Sequence, residues 1–264
     1  MSRSALLAPL LDPDAHPVVG HRGASGHAPE NTLPSFALAA SSGADALEFD
    51  VHLSADGVAV VIHDATLDRT TDRSGVVATM PYAKIREADA GARFTPDGGR
   101  TFPFRGTGAY VPTLEEVVTA FPDLPLVLEI KTARAQDEAL EVLERCGCRT
   151  RAVVSSFDPA AVSRFRAERW MTGAGSSEVA RLKFAPRAPA AVPFQALFVP
   201  IAWRGIPIPT RRFVRRARRL GLPVHVWTVN DPALGVRLWA RGCAGMIGNY
   251  PRELREARDR AGVV

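Results

Sequence analysis

The sequence predicts an α/β fold, a (β/α)8 TIM barrel, on three observations. Strand-like apolar runs recur with the spacing of βα units, near residues 17–22, 46–52, 58–64, 125–131, 152–157, 171–175, 196–200, 223–229 and 244–248. Setting aside 58–64 as the return arm of a hairpin leaves eight, the number that closes a parallel barrel. Helix-start signals follow the strands: Thr113-Leu114-Glu115-Glu116 has the pattern of a capping box, and Asp158-Pro159 and Asp231-Pro232 each pair a capping acid with a proline at the first helical position. With 264 residues, one such domain accommodates the whole chain, 1–264.

Val18-Val19-Gly20 runs into His21-Arg22-Gly23, so the first strand ends in two ionisable groups. Leu47-Glu48-Phe49-Asp50-Val51 puts Glu48 and Asp50 on one face, because side chains alternate with period two. Asp56-Gly57 is a tight-turn pair, and a two-residue turn centred there sets Asp50 opposite His63 across the hairpin. Residues 65–112 break the rhythm with Thr70-Thr71-Asp72, Gly98-Gly99 and Gly106-Thr107-Gly108 and offer no clear pair of elements. They read as a small insertion beside His63, either walling a pocket or lying on the surface. Leu126 to Lys131 resumes the barrel and brings Glu129 and Lys131 onto one face. Pro186 to Pro193 is Ala/Pro-rich and reads as a loop, while Phe198-Val199-Pro200-Ile201-Ala202-Trp203 is a strongly apolar strand end. Arg211 to Arg219 spaces Phe213, Ala217 and Leu220 as an outer helix with a solvated face, the lesser reading being a contact with anionic lipid.

Bulk properties exclude more than they select. The formal charge of +5 is carried almost wholly by arginine interspersed with acids, and no nucleic-acid motif accompanies it, so nucleic acid is not an expected partner. Lys84, Lys131 and Lys183 are the only lysines, which makes Lys131 conspicuous. Cys146 and Cys148 flank Gly147 and Cys243 stands alone, with neither zinc-ligand spacing nor a disulfide framework. Arg3 and Ala5-Leu6-Leu7-Ala8 begin a signal-like stretch that Pro9, Asp12 and Pro13 interrupt; with no run of membrane-spanning length, the expectation is a cytoplasmic protein without stable membrane insertion.

Reactive side chains of a parallel barrel gather at the carboxyl ends of its strands. There the sequence supplies His21, Arg22, Glu48, Asp50, Glu129, Lys131, Trp227 and Asn230. Two carboxylates on one half-buried strand are costly without a cation. Three carboxylates and no thiolate suit one hard divalent cation, Mg²⁺ or Ca²⁺, better than zinc. Arg22 and Lys131 beyond such an ion imply an anionic substrate, with phosphate the commonest candidate. Two histidines beside it, His21 and His63, suit an acid and a base on opposite sides of a phosphorus atom. Glu30 and Asn31 read as orienting residues and Trp227 as a stacking wall or core. His16, His27, His52 and His225 attract no role.

The ordered set His21-Arg22-Gly23, Pro29-Glu30-Asn31-Thr32, Glu48-Phe49-Asp50-Val51, Asp56-Gly57, His63-Asp64, Leu128-Glu129-Ile130-Lys131, Ser155-Ser156-Phe157 and Val226-Trp227-Thr228-Val229-Asn230 resembles the glycerophosphodiester phosphodiesterase family over almost the entire chain. The resemblance implies a phospholipase-C-like TIM barrel with His21 and His63 as acid and base, Glu48, Asp50 and Glu129 around a divalent cation, and Arg22 and Lys131 on phosphate. It implies hydrolysis of small-molecule glycerophosphodiesters to glycerol 3-phosphate and an alcohol. One motif departs: the family commonly closes with Thr-Asp before a residue and Pro, whereas this chain has Gly248-Asn249-Tyr250-Pro251. The loss of charge is expected to act on pocket shape or substrate preference more than on the metal. The apolar rim keeps a second substrate class in view, lysophospholipids cleaved as by a lysophospholipase D. A catalytically silent barrel binding phosphate-bearing ligands is the third reading; it predicts a missing acid, base or ligand, and none is missing.

Overall fold

The computed structural model describes residues 6–186 and 189–263. Arg3 and Ala5 of the signal-like stretch, and residues 187 and 188 of the Ala/Pro-rich loop, lie outside them. The strands in chain order are β1 Val18–His21, β2 Ala46–Leu53, β3 Ala59–Val61, β4 Leu126–Ile130, β5 Ala152–Ser155, β6 Leu197–Pro200, β7 Ala202–Trp203, β8 Ile206–Pro207, β9 Val224–Trp227 and β10 Met246–Gly248. Seven of these run parallel in the spatial order β5-β4-β2-β1-β10-β9-β6. The expected strand at 171–175 contributes only two bridges, Val154 to Thr172 and Gly173 to Ala196, yet these join β5 to β6 and close the ring. The (β/α)8 expectation therefore holds, with one stave reduced to a minimal link.

Alternation along the strands sorts the side chains. Outward residues such as Leu47, Phe49, Leu126, Leu128 and Val154 pack against the surrounding helices. Inward residues Val19, Ala46, Val127, Val153, Ala196 and Ile247 fill the barrel together with Leu7 and Leu10, which lead into and lie on the short helix Ala8–Leu11. His225 is fully buried, its Nε2 2.9 Å from the Leu10 carbonyl and its ring stacked on Phe198. The expected helix starts are present. Thr113 and Glu116 form the capping box of Leu114–Ala120, Asp231 caps Pro232–Trp239, and Asp158 caps a 3-10 turn, Pro159–Val162. The arginine-rich helix Arg211–Arg218 buries Phe213, Val214 and Ala217.

The hairpin differs from expectation by one residue. Val51 faces Val61 and His52 faces Val60, so Asp50 lies beside Ile62 rather than His63. The Ser54 hydroxyl accepts from Val58 N–H and donates to Asp56, closing a three-residue loop, and Gly57 takes the left-handed conformation (φ 81°) at its end. Beyond β3, residues expected to lack elements carry a 3-10 turn, Val77–Thr79, and a short helix, Tyr82–Arg86. Leu67, Val77, Ile85, Ala88, Ala90 and Val111 bury a small cluster with Val60 and Ile62.

Burial lowers the His225 pKa from 6.5 to about 4, against the smaller effect of its bond to Leu10. The folded state therefore binds fewer protons than the unfolded chain, and this contribution to stability is complete above pH 6.5 and lost as pH falls toward 4. Thermal denaturation midpoints are expected to fall across that interval, and less steeply in His225→Leu; equal slopes in the two proteins would refute the assignment.

Candidate active site

The same alternation that fills the barrel with apolar groups ends, at the carboxyl edge, in a polar layer. His21 closes β1, Glu48 and Asp50 point inward from β2, Glu129 from β4, Ser155 from β5 and Trp227 from β9. These residues line one pocket together with Arg22, His63, Phe157 and Phe198. Lys131 joins through its ammonium, 3.0 Å from Asp50 Oδ1 and 2.8 Å from Glu129 Oε1. Every residue singled out from the sequence for metal, acid/base or phosphate chemistry is thus brought together.

Asp50 and Glu129 are direct register partners on adjacent parallel strands, and His21 pairs likewise with Glu48. Glu48, Asp50 and Glu129 can each offer an oxygen so that all three lie within 4.8 Å of one another. Glu48 and Asp50 are only 7% and 1% exposed. Burial, reinforced by Asp50, pushes the Glu48 carboxyl well above the usual range. Burial also raises Glu129, with Asp50 adding to the shift and Lys131 opposing it. At Asp50 burial acts upward too, but Lys131, Arg22 and His63 outweigh it and hold the group below its ordinary value. All-oxygen donors at this spacing, burdened by uncompensated negative charge, fit a hard divalent cation.

The turn after β1 is built for close approach. Arg22 (φ 53°) and Gly23 (φ 85°) are both left-handed, and a Cβ on Gly23 would collide with Ser35. This conformation lets the Arg22 N–H donate to Glu48 Oε2 at 2.9 Å, while its guanidinium lies 3.2 Å from Asp50 and 2.9 Å from Glu30. Arg22 Nε is nevertheless buried without a properly directed acceptor. Asn31, also left-handed (φ 57°), donates to Asp50 Oδ2 at 2.9 Å, and Thr32 caps the helix Leu33–Ser41. The Glu-Asn-Thr run therefore orients neighbours, as expected.

Each histidine of the pocket has an oxygen against Nδ1. For His21 it is Asn249 Oδ1 at 2.7 Å; for His63 it is Asp64 Oδ1 at 2.6 Å. With Nδ1–H donating in both rings, Nε2 is the atom left to exchange protons. Burial and then Arg22 lower the His21 pKa to about 4, against opposing effects of Asn249, Asp50 and Glu30. The departure in the closing motif thus bears directly on this ring, beyond the pocket shape or substrate preference expected of it. His52, without an expected role, has Nε2 3.1 Å from the His63 carbonyl.

Arg69 was not foreseen. Its guanidinium binds Glu30 through two bonds of 2.7 Å and Asp64 through bonds of 2.7 and 3.0 Å. One arginine from the 65–112 segment therefore links the carboxylate behind Arg22 to the carboxylate behind His63. Its only trace in the sequence is position, five residues beyond Asp64, because the partners meet through the fold and not through any periodic pattern.

The profile of the Glycerophosphoryl diester phosphodiesterase family matches residues 21–253. A glycerophosphodiester phosphodiesterase of Bacillus subtilis (strain 168) is 31% identical over 255 residues, covering 92% of this chain and 86% of its own. A crystal structure from Silicibacter pomeroyi DSS-3 bearing the same family designation superposes with a TM-score of 0.81 at 30% identity, covering 98% of both chains. An Oleispira antarctica phosphodiesterase, in complex with the product sn-glycerol-3-phosphate, gives a TM-score of 0.71 at 27% identity, covering 93% of this chain and 97% of that one.

Replacing the neutral amide by a carboxylate at His21 Nδ1 stabilises the imidazolium. Asn249→Asp is expected to raise the His21 titration midpoint above its value of about 4, followed by NMR on metal-free protein. An unmoved or lowered midpoint would contradict the Asn249–His21 contact.

Proposed function

The chain belongs to the glycerophosphoryl diester phosphodiesterase family, and from that premise we propose that it hydrolyses glycerophosphodiesters to sn-glycerol 3-phosphate and an alcohol, with His21 and His63 as base and acid. The observation that carries this reading is one pocket lined by both histidines, three carboxylates and Arg22, with Lys131 reaching two of the carboxylates. Glycerol 3-phosphate in the Oleispira antarctica relative supports the substrate class.

Glu48, Asp50 and Glu129 would hold one divalent cation, Mg²⁺ or Ca²⁺. When bound, such an ion polarises a phosphoryl oxygen and offsets the charge that builds on it. Arg22 and Lys131, the two cations set against these carboxylates, bind the diester's other non-bridging oxygen. His21, kept neutral at pH 7 chiefly by burial, accepts at Nε2 the proton of the attacking oxygen. His63 delivers one from Nε2 to the departing oxygen, its ring oriented by Asp64 and Arg69. The Arg69 bonds outweigh burial and hold the Asp64 carboxylate well below its usual range, so it stays ionised. Trp227 walls the pocket edge-on to Phe157.

We also take residues 1–264 as one barrel domain and 65–112 as an insertion in it, supported by the separate apolar cluster over β3. A cytoplasmic location accords with three free cysteines. Among the described residues, no helix is long and apolar enough to cross a membrane.

His21→Ala and His63→Ala are each expected to lower glycerol 3-phosphate release by at least about a hundredfold, with circular dichroism unchanged. Near-native rates in either variant would reject its proton-transfer role. EDTA is expected to silence the enzyme and Mg²⁺ or Ca²⁺ to restore it, with Glu129→Gln needing about tenfold more cation for half-activation; full activity in chelator would remove the ion from the scheme.

A further inference from the structure

A second groove opens off the active site. It runs between the helix Ser176–Phe184 and the β7–β8 hairpin, and Ala174, Val179, Phe184, Phe198, Trp203 and Ile208 are among the residues that line it. Phe157 and Phe198 line both this groove and the pocket of the three carboxylates, so the two share a wall. A smaller hollow bordered by Glu129, Ser155, Ala174 and Trp227 lies on the same path.

The groove gathers exposed apolar surface to an unusual degree. The described residues include five strongly exposed large hydrophobic side chains, and four belong here: Phe157, Phe184 (64% exposed) and Trp203 (56%) on the lining, and Ile206 opposite Trp203 in the hairpin. A patch of this kind marks a binding surface more often than chance exposure. Nothing in the lining favours a charged occupant. Lys183 is the one ionisable residue there, and its ammonium is committed to the carbonyls of Pro207 and Ile208 and the Thr210 hydroxyl. Continuity with the reacting centre argues for part of a substrate over a separate partner.

We propose that this groove is a subsite for one acyl or alkyl chain, so that the enzyme accepts amphiphilic phosphodiesters carrying a single long chain. The inference rests on the phosphodiesterase reading and extends it. The reaction is unchanged: the oxygen of water bonds to phosphorus, the bond from phosphorus to the leaving oxygen breaks, and that oxygen leaves protonated as the alcohol. The chain lies either on the glycerol, as in a lysophospholipid, or on the departing alcohol, as in an alkyl ester of glycerophosphate.

The test is a chain-length series of each kind, kept below its critical micelle concentration, with glycerophosphoethanolamine as the chainless reference. For at least one series KM should fall by about two- to fourfold per added methylene. Phe184→Ser and Trp203→Ser should each raise KM for the longest member by at least about tenfold, leaving the reference unchanged. Whichever series responds identifies where the chain is attached. A KM independent of length in both series, the same length dependence in both variants, or a gain seen only with micelles or vesicles would overturn the proposal. Failure to turn over the reference and both series alike would count against the phosphodiesterase reading; calorimetric binding of monomeric decylphosphocholine, weakened by the same substitutions, would still support the subsite, and its absence would refute it.

Discussion

The packing of three carboxylates into the mouth of a largely apolar barrel is the constraint from which the other features of the site follow. Like charges a few ångströms apart, shielded from water, repel strongly and lose hydration at the same time. Two cations face them, and both are drawn to Asp50. Lys131 also serves Glu129, and Arg22 divides its guanidinium between Asp50 and Glu30. Glu48 receives from Arg22 a backbone N–H, which satisfies an oxygen without neutralising it. The positive charge of the protein therefore falls short at Glu48 and Glu129, the two groups whose carboxyls are pushed upward. A divalent ion held there would complete that balance, whereas a third lysine or arginine would complete it and close the site.

Holding charges in such an arrangement requires supports that cannot drift. Arg22 is fixed by a left-handed backbone turn, by the absence of a side chain at Gly23 and by Glu30 behind it. Glu30 is held in turn by Arg69, which also grips Asp64 behind His63. Ion pairs with multiple directed bonds confer more geometric definition than isolated surface pairs. The segment following β3 thus contributes more than cover. Its arginine couples the Arg22 side of the pocket to one of its two imidazoles, so the position of each depends on the other.

Much of this was legible in the chain because it depends on period and local chemistry. Alternation placed Glu48 with Asp50 and Glu129 with Lys131, and parallel topology placed both pairs at one end of the barrel. What escaped depends on geometry that local patterns do not encode. The β2–β3 register slipped by one residue because the Ser54 hydroxyl closes a three-residue loop where Asp56-Gly57 suggested two. The stave at 171–175 shrank to two bridges although its composition is strand-like. Arg69 reaches Glu30 and Asn249 reaches His21, partners far away in sequence that only the assembled barrel reveals. The exposed β7–β8 hairpin was visible merely as apolar excess after Phe198.

The two sides of the mouth are built differently, and the difference bears on how such a site can change. Charged groups come from β1, β2 and β4 and from the turns tied to them by ion pairs, where a shift of one residue disturbs several partners at once. The opposite side is formed by Phe157 after β5, Phe198 on β6, Trp203 on the hairpin and Phe184 at a helix end, which line one apolar groove. Apolar contacts are non-directional and tolerate substitution of similar volume, unlike charge-assisted hydrogen bonds. Variation on this side can therefore alter what lies beside the phosphate while the carboxylates, Arg22 and the imidazoles keep their geometry. A rigid ionic half joined to a permissive apolar half would let one chemistry serve alcohols of different character, the first positioning the bond that breaks and the second receiving the remainder of the molecule.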